Sequence, residues 1–212
     1  MRHVLLLALL LATAPALALD GNAEEGRIKS YTCTGCHGID GYRNAYPEYH
    51  VPKIHRQNRE YIVAALNAYR AGERTHPTMR AQGESLSDQD IADISAYYEQ
   101  HGKGGAAVPE QAAPAPSDVA ALLTKGACAS CHGANYSKPI DPAYPKIAGQ
   151  HADYLFVALK AYKTEGAATL GRGNPIMAAQ VKQFTLPQLR QIAEYLGSLP
   201  GELRTVKEGY FR

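Results

Sequence analysis

Hydrophobic positions along this chain trace one pattern twice. Tyr61, Ile62, Ala65, Leu66 and Tyr69 are spaced i, i+1, i+4, i+5, i+8, and Tyr154, Leu155, Ala158, Leu159 and Tyr162 repeat the spacing. Each set predicts a helix with one apolar face. Ile91, Ile94, Tyr97 and Tyr98, and then Leu189, Ile192, Tyr195 and Leu196, predict a second pair of helices. These open on Ser87-x-x-Asp90 and Thr185-x-x-Gln188, which read as capping boxes. A third helix is predicted upstream in each half, ending in a Cys-containing segment; in the second half Val119, Leu122 and Leu123 mark it, with Ser117 as N-cap. The reading is all-α, three helices per half.

The repetition is one of residues as well as of pattern. Between residues 52–70 and 145–163 there are 9 identities in 19 positions, among them Pro52-Lys53-Ile54 with Pro145-Lys146-Ile147 and Gln57 with Gln150. An internal duplication is the simplest cause. The stretch 103–116, rich in Gly, Ala and Pro and without apolar periodicity, reads as an exposed linker. The expected organisation is therefore a first domain over 19–102, the linker over 103–116 and a second domain over 117–212. Residues 1–18 read as a cleaved export signal: Arg2 and His3, then an apolar run from Val4, then Ala16-Leu17-Ala18. That run is too short for a membrane-spanning helix. The mature chain is expected to work outside the cytoplasm.

Composition narrows the chemistry. The chain of 212 residues has 22 Lys+Arg against 20 Asp+Glu, too even a balance for a nucleic-acid binder. The charge is unevenly divided, with 10 basic and 12 acidic residues over 20–103 against 11 and 7 over 117–212. That difference of −2 against +4 suggests that the second half docks on an acidic partner surface. No paired-carboxylate site, Ser/His/Asp arrangement or phosphate-binding Gly loop is present, so no small-molecule substrate is expected.

The four Cys carry the sharpest signal. They occur as Cys33-Thr34-Gly35-Cys36-His37 and Cys128-Ala129-Ser130-Cys131-His132, and C-x-x-C-H is the c-type haem attachment sequence. Thiols at this spacing reach two vinyl groups on one porphyrin edge, and the adjacent His lies under the ring. A zinc site built from pairs 95 residues apart, or a thioredoxin-like motif without a strand–helix setting, explains less. Beyond the initiator the chain has two Met, Met79 in Pro77-Thr78-Met79 and Met177 in Pro175-Ile176-Met177, each off any helical stripe and at corresponding places. They are the expected sixth ligands, paired with His37 and His132. His50, His55 and His76 also lie between His37 and Met79 and are rivals for the first iron; His151 is the single His in the matching interval and is expected at an exposed helix start.

Two C-x-x-C-H/P-x-M domains in tandem behind an export signal resemble the dihaem cytochrome c4 family. Pro145-Lys146-Ile147-Ala148-Gly149-Gln150 and the Leu86-Ser87-Asp88-x-Asp90-Ile91 run add to the likeness. The resemblance implies two class I cytochrome c folds packed about a pseudo-twofold, two covalently bound haem c groups and His/Met-ligated iron at both sites. It also implies a periplasmic one-electron carrier between a quinol-oxidising complex or dehydrogenase and a terminal oxidase or reductase, with peripheral association with membrane complexes. Alternatives are a dedicated electron-transfer subunit of a dehydrogenase or, less compatible with two P-x-M segments, a dihaem peroxidase or thiosulfate dehydrogenase. The first domain departs from the pattern: it has His55-Arg56 where the second has Ala148-Gly149, and an aromatic approach over Tyr46-Pro47-Glu48-Tyr49-His50. The tail from Glu202 lies beyond the repeat.

Overall fold

A computed structural model describes residues 19–102, 104, 107–164 and 171–207. The expected export signal over 1–18 lies outside the described residues. In the first half α1 (Ala23–Lys29) leads into α2 (Tyr31–His37), followed by a hairpin of β1 (Arg43–Ala45) and β2 (Glu48–His50). Helices α3 (Arg59–Arg70), α4 (Pro77–Glu84) and α5 (Asp88–Gln100) complete it. The second half repeats the order as α6 (Ser117–Lys125), α7 (Cys128–His132), α8 (Ala152–Lys163), α9 (Pro175–Lys182) and α10 (Leu186–Ser198). No described helix is long and apolar enough to cross a membrane.

The amphipathic helices form as their spacing predicts. Ile62 and Leu66 of α3 pack with Ile91, Ile94, Tyr97 and Tyr98 of α5 in one core; Leu155 of α8 packs with Leu189, Ile192 and Leu196 of α10 in the other. Both capping boxes close, at Ser87 with Asp90 and at Thr185 with Gln188. Ser117 is the first residue of α6 and gives no side-chain cap; Pro116 precedes it with extended backbone.

Each half holds more helices than three. The segments around the two Met form α4 and α9, eight residues each, with Pro at the first turn. Two turns are too short to display an amphipathic stripe, whereas Pro at that position presets the backbone and lacks only an N–H that no helical carbonyl would accept. The β hairpin of the first half pairs Asn44 with Tyr49 and has no counterpart among the described residues of the second.

The halves meet about a pseudo-twofold axis, and equivalent residues make equivalent contacts. Gln57 grips the backbone of Lys146, and Gln150 grips that of Lys53. Lys53 Nζ donates to the Gly149 carbonyl at 2.7 Å and Lys146 Nζ to the Arg56 carbonyl at 2.8 Å. Arg74 and Arg172 face each other in an antiparallel bridge flanked by Thr75 N–H to Gly171 carbonyl and Gly173 N–H to Glu73 carbonyl. The described part of the linker is mostly exposed yet pinned, Tyr195 donating to the Ala113 carbonyl at 2.6 Å. The tail after α10 returns across the first domain, where the Arg204 N–H donates to the His55 carbonyl.

Candidate haem sites

Each C-x-x-C-H run is a short helix, α2 or α7, which sets its two Cys on neighbouring turns. All four Cys are half-buried thiols. His37 and His132 are buried, and each donates Nδ1–H to a proline carbonyl, Pro52 at 2.8 Å and Pro145 at 3.0 Å. A carbonyl can only accept, so the proton sits on Nδ1 and Nε2 keeps a free lone pair. Burial holds both imidazoles below their usual pKa, hence neutral at pH 7. A neutral imidazole with one nitrogen fixed by a carbonyl is a metal ligand with its tautomer already chosen.

Met79 and Met177 sit at the third residue of α4 and α9, and the N-cap side chains His76 and Asn174 accept their N–H groups at 3.3 and 2.9 Å. Cys33, Ile54 and Met79 border the first core; Cys128, Ile147 and Met177 border the second. The sequence-predicted donors are thus brought against one core in each half. Two of the rival imidazoles are engaged through a ring nitrogen, and the third is placed by burial. His76 Nδ1 caps α4, His50 bonds Asp153 of the other domain at 2.7 Å, and His55 is wholly buried beneath the tail. His151 is half-buried, stacked on His50 with ring centres 4.7 Å apart, because docking covers the start of α8.

Spacing alone did not single out Arg74 and Arg172. The Arg74 guanidinium lies 5.4 Å from the ring centres of both Tyr61 and Tyr69 and donates to the Tyr61 hydroxyl at 3.1 Å. Arg172 repeats this with Tyr154 and Tyr162, donating to Tyr154 at 2.9 Å. The two cations, with Tyr49, Tyr69, His76 and Tyr154, line a cavity of about 30 Å³ at the domain interface. Neither is ion-paired with a described residue. Two like charges placed together out of water require an anion to offset them. Each Arg stands five residues before its Met, so the duplication that picks out the two Met contains this signal too.

The cytochrome c family model matches residues 24–102 and again 117–200. Cytochrome c4 of Azotobacter vinelandii is 31% identical over 84% of this chain and 90% of its own length. The chain belongs to the cytochrome c4 family. The crystal structure of reduced recombinant cytochrome c4 from Pseudomonas stutzeri superposes with a TM-score of 0.59 at 26% identity, covering 85% of this chain and 100% of that one. A Thiomonas intermedia protein named thiosulfate dehydrogenase electron acceptor is 26% identical over 80% of this chain and 79% of its own.

As a cytochrome c4 the chain is an electron-transfer protein and not an enzyme, with two covalently bound haem c groups and redox proteins as partners. The donor set of each half suits that cofactor: paired thiols, a neutral His, a Met thioether, and a half-buried Arg suited to offset a propionate.

Proposed function

We propose that Cys33 and Cys36 hold the first haem and Cys128 and Cys131 the second, with His37 and Met79 as one axial pair and His132 and Met177 as the other. When bound, haem c supplies a one-electron iron couple. The chain's part would be to supply an imidazole from α2 or α7 and a thioether sulfur from α4 or α9, exclude water and offset the propionates with Arg74 and Arg172. Two strong-field protein ligands leave no open position, which suits a carrier and raises the potential. The observation that carries this reading is the repetition of one arrangement in both halves: Nδ1 on a proline carbonyl, and a capped Met at the start of a short helix.

The chain is read as an exported periplasmic carrier, with domains over 19–102 and 117–212 and a linker over 103–116, working between a quinol-oxidising complex or dehydrogenase and a terminal oxidase or reductase. The acceptor docks on the second domain. There Lys163 donates to the Lys182 and Phe184 carbonyls at 2.8 and 2.7 Å, and Lys125 reaches toward Gln183. Lys182, Lys160 and Arg190 extend this exposed rim, and none of the five is ion-paired with a described residue. Phe184 and the Cys128 sulfur both stand 3.1 Å from the place of a Gly126 Cβ, which puts the rim beside the attachment cysteines. In the first domain the corresponding residues are Ser30, Asn67, Arg70, Glu84 and Ala92, with Arg70 neutralised by Asp88 and Glu84 by Arg80. The fold therefore does not need the five charges, and an acidic partner does.

The tests are direct. Holoprotein spectra, with carbon monoxide added to the reduced form, are expected to show two low-spin haems, the weak far-red sulfur-to-iron(III) band and no carbon monoxide binding; a high-spin haem overturns the ligand assignment. On a carboxylate-terminated monolayer, Lys125→Ser, Lys160→Asn and Lys182→Glu together are expected to slow electron exchange about tenfold at low salt. The relative named as an electron acceptor supports a second reading, a dedicated acceptor subunit, for which stable co-purification with a dehydrogenase is the sign.

A further inference from the structure

The first core contains a polar pocket that the second does without. His55 is 0% exposed, and neither ring nitrogen has a hydrogen-bond partner among the described residues. The ring meets Tyr98 edge-on, centres 4.8 Å apart, and His101 at 5.3 Å, and His101 in turn stacks on Tyr97. The Tyr98 hydroxyl faces Cys33 and Ser30, and among the described residues no partner meets it at full hydrogen-bond geometry. The tail seals the pocket from above, with Leu203 buried, Arg204 bridging to His55, and Val206 against Gly38 and Gly102. The corresponding residues of the second domain are Ala148, Leu196 and Leu199, all buried and apolar.

Leaving such groups unsatisfied is costly, and the duplicated domain shows that an apolar filling serves the same fold. The pocket is also on the side of the first attachment motif. His55 follows Pro52, the carbonyl that fixes His37, by three residues, and Tyr98 stands against Cys33. Burial keeps His55 neutral, with its pKa lowered to about 4, so at pH 7 the pocket offers dipoles and no charge.

We propose that His55 and Tyr98 are positioning residues that make the two haems unequal, holding the first at the lower reduction potential. Ferric haem carries one more positive charge than ferrous, and uncommitted imidazole and hydroxyl dipoles stabilise that charge as the Ala148 and Leu196 side chains cannot. With haem bound, this ordering would favour one-electron transfer from the first domain toward the second, with no proton transferred. This inference rests on the carrier reading above.

The experiment is a spectroelectrochemical titration of the holoprotein at pH 7, wild type beside His55→Ala, Tyr98→Phe and the double variant. Tyr98→Phe keeps the ring and removes only the hydroxyl, so it leaves the core filled if the larger change does not fold. The expected result is two one-electron steps, the lower moving toward the upper in each variant and furthest in the double, with the upper step and the sulfur-to-iron band unchanged. A lower step that stays in place while the band is retained overturns the proposal, and so does movement of the upper step alone. Loss of the band in the wild type would instead strike the His/Met reading, a separate failure.

Discussion

Gln57 and Gln150 occupy the same position in the two repeats, and each holds the other's domain. The Gln57 amide donates to the Lys146 carbonyl at 3.0 Å and accepts the Lys146 N–H at 2.9 Å; Gln150 does the same to Lys53 at 2.9 and 3.0 Å. Each amide satisfies a backbone donor and acceptor that docking removes from water. Replacing either by Ala strands both groups and is expected to cost about 2 kcal/mol. The double substitution is expected to split thermal unfolding into two transitions.

Arg74 and Arg172 predict effects of opposite sign in two states of the protein. Without haem they are two like charges held together, and Arg74→Leu is expected to leave unchanged or raise the denaturation midpoint of the apoprotein. With haem bound, loss of the guanidinium would leave a propionate without its countercharge, and the same substitution is expected to cost about 1–3 kcal/mol. Denaturation of both forms of one variant checks the pair of signs.

Acid loosens the interface. Burial first, then Lys53 and His50, lower the His151 pKa to about 4; burial first, then His101, do the same to His55. Both are bases with depressed folded pKa values. The unfolded chain takes up their protons near pH 6.5, and the folded chain only near pH 4. Their contribution is whole above pH 6.5, falls across the window from 6.5 to 4, and is flat below it. For fully buried His55 the loss is about 3 kcal/mol, and less for half-exposed His151. Denaturant midpoints measured between pH 7 and 4 are expected to show this slope and His55→Ala to flatten it.

Gly26 marks where α1 crosses α5. A Cβ there would lie 2.0 Å from the Asp93 carbonyl oxygen, a backbone atom with no freedom to retreat. Gly26→Ala is expected to destabilise the first domain by about 1–3 kcal/mol while the second domain's spectrum and potential stay as they are.

What the sequence disclosed, and what it withheld, follows from the range of the forces involved. The α3 and α8 stripes, the capping boxes at Ser87 and Thr185 and the two attachment motifs are local patterns, legible within a dozen residues. Helices α4 and α9 escaped because two turns show no period. The hairpin at 43–50 and the burial of His55, His151 and Leu203 depend on docking one copy against the other, and no window along the chain contains that contact. Tyr61, Tyr69, Tyr154 and Tyr162 were visible as a stripe. Their role as platforms for Arg74 and Arg172 needed the third dimension.

The tail that crosses the first domain makes that domain's closure a joint property of both halves. Leu203 and Arg204 follow the last helix of the second domain, yet they close over His55 of the first. The first core is therefore finished only while the second domain sits against it. A cut in the backbone just after α10 would open His55 to water without altering a residue of the first domain.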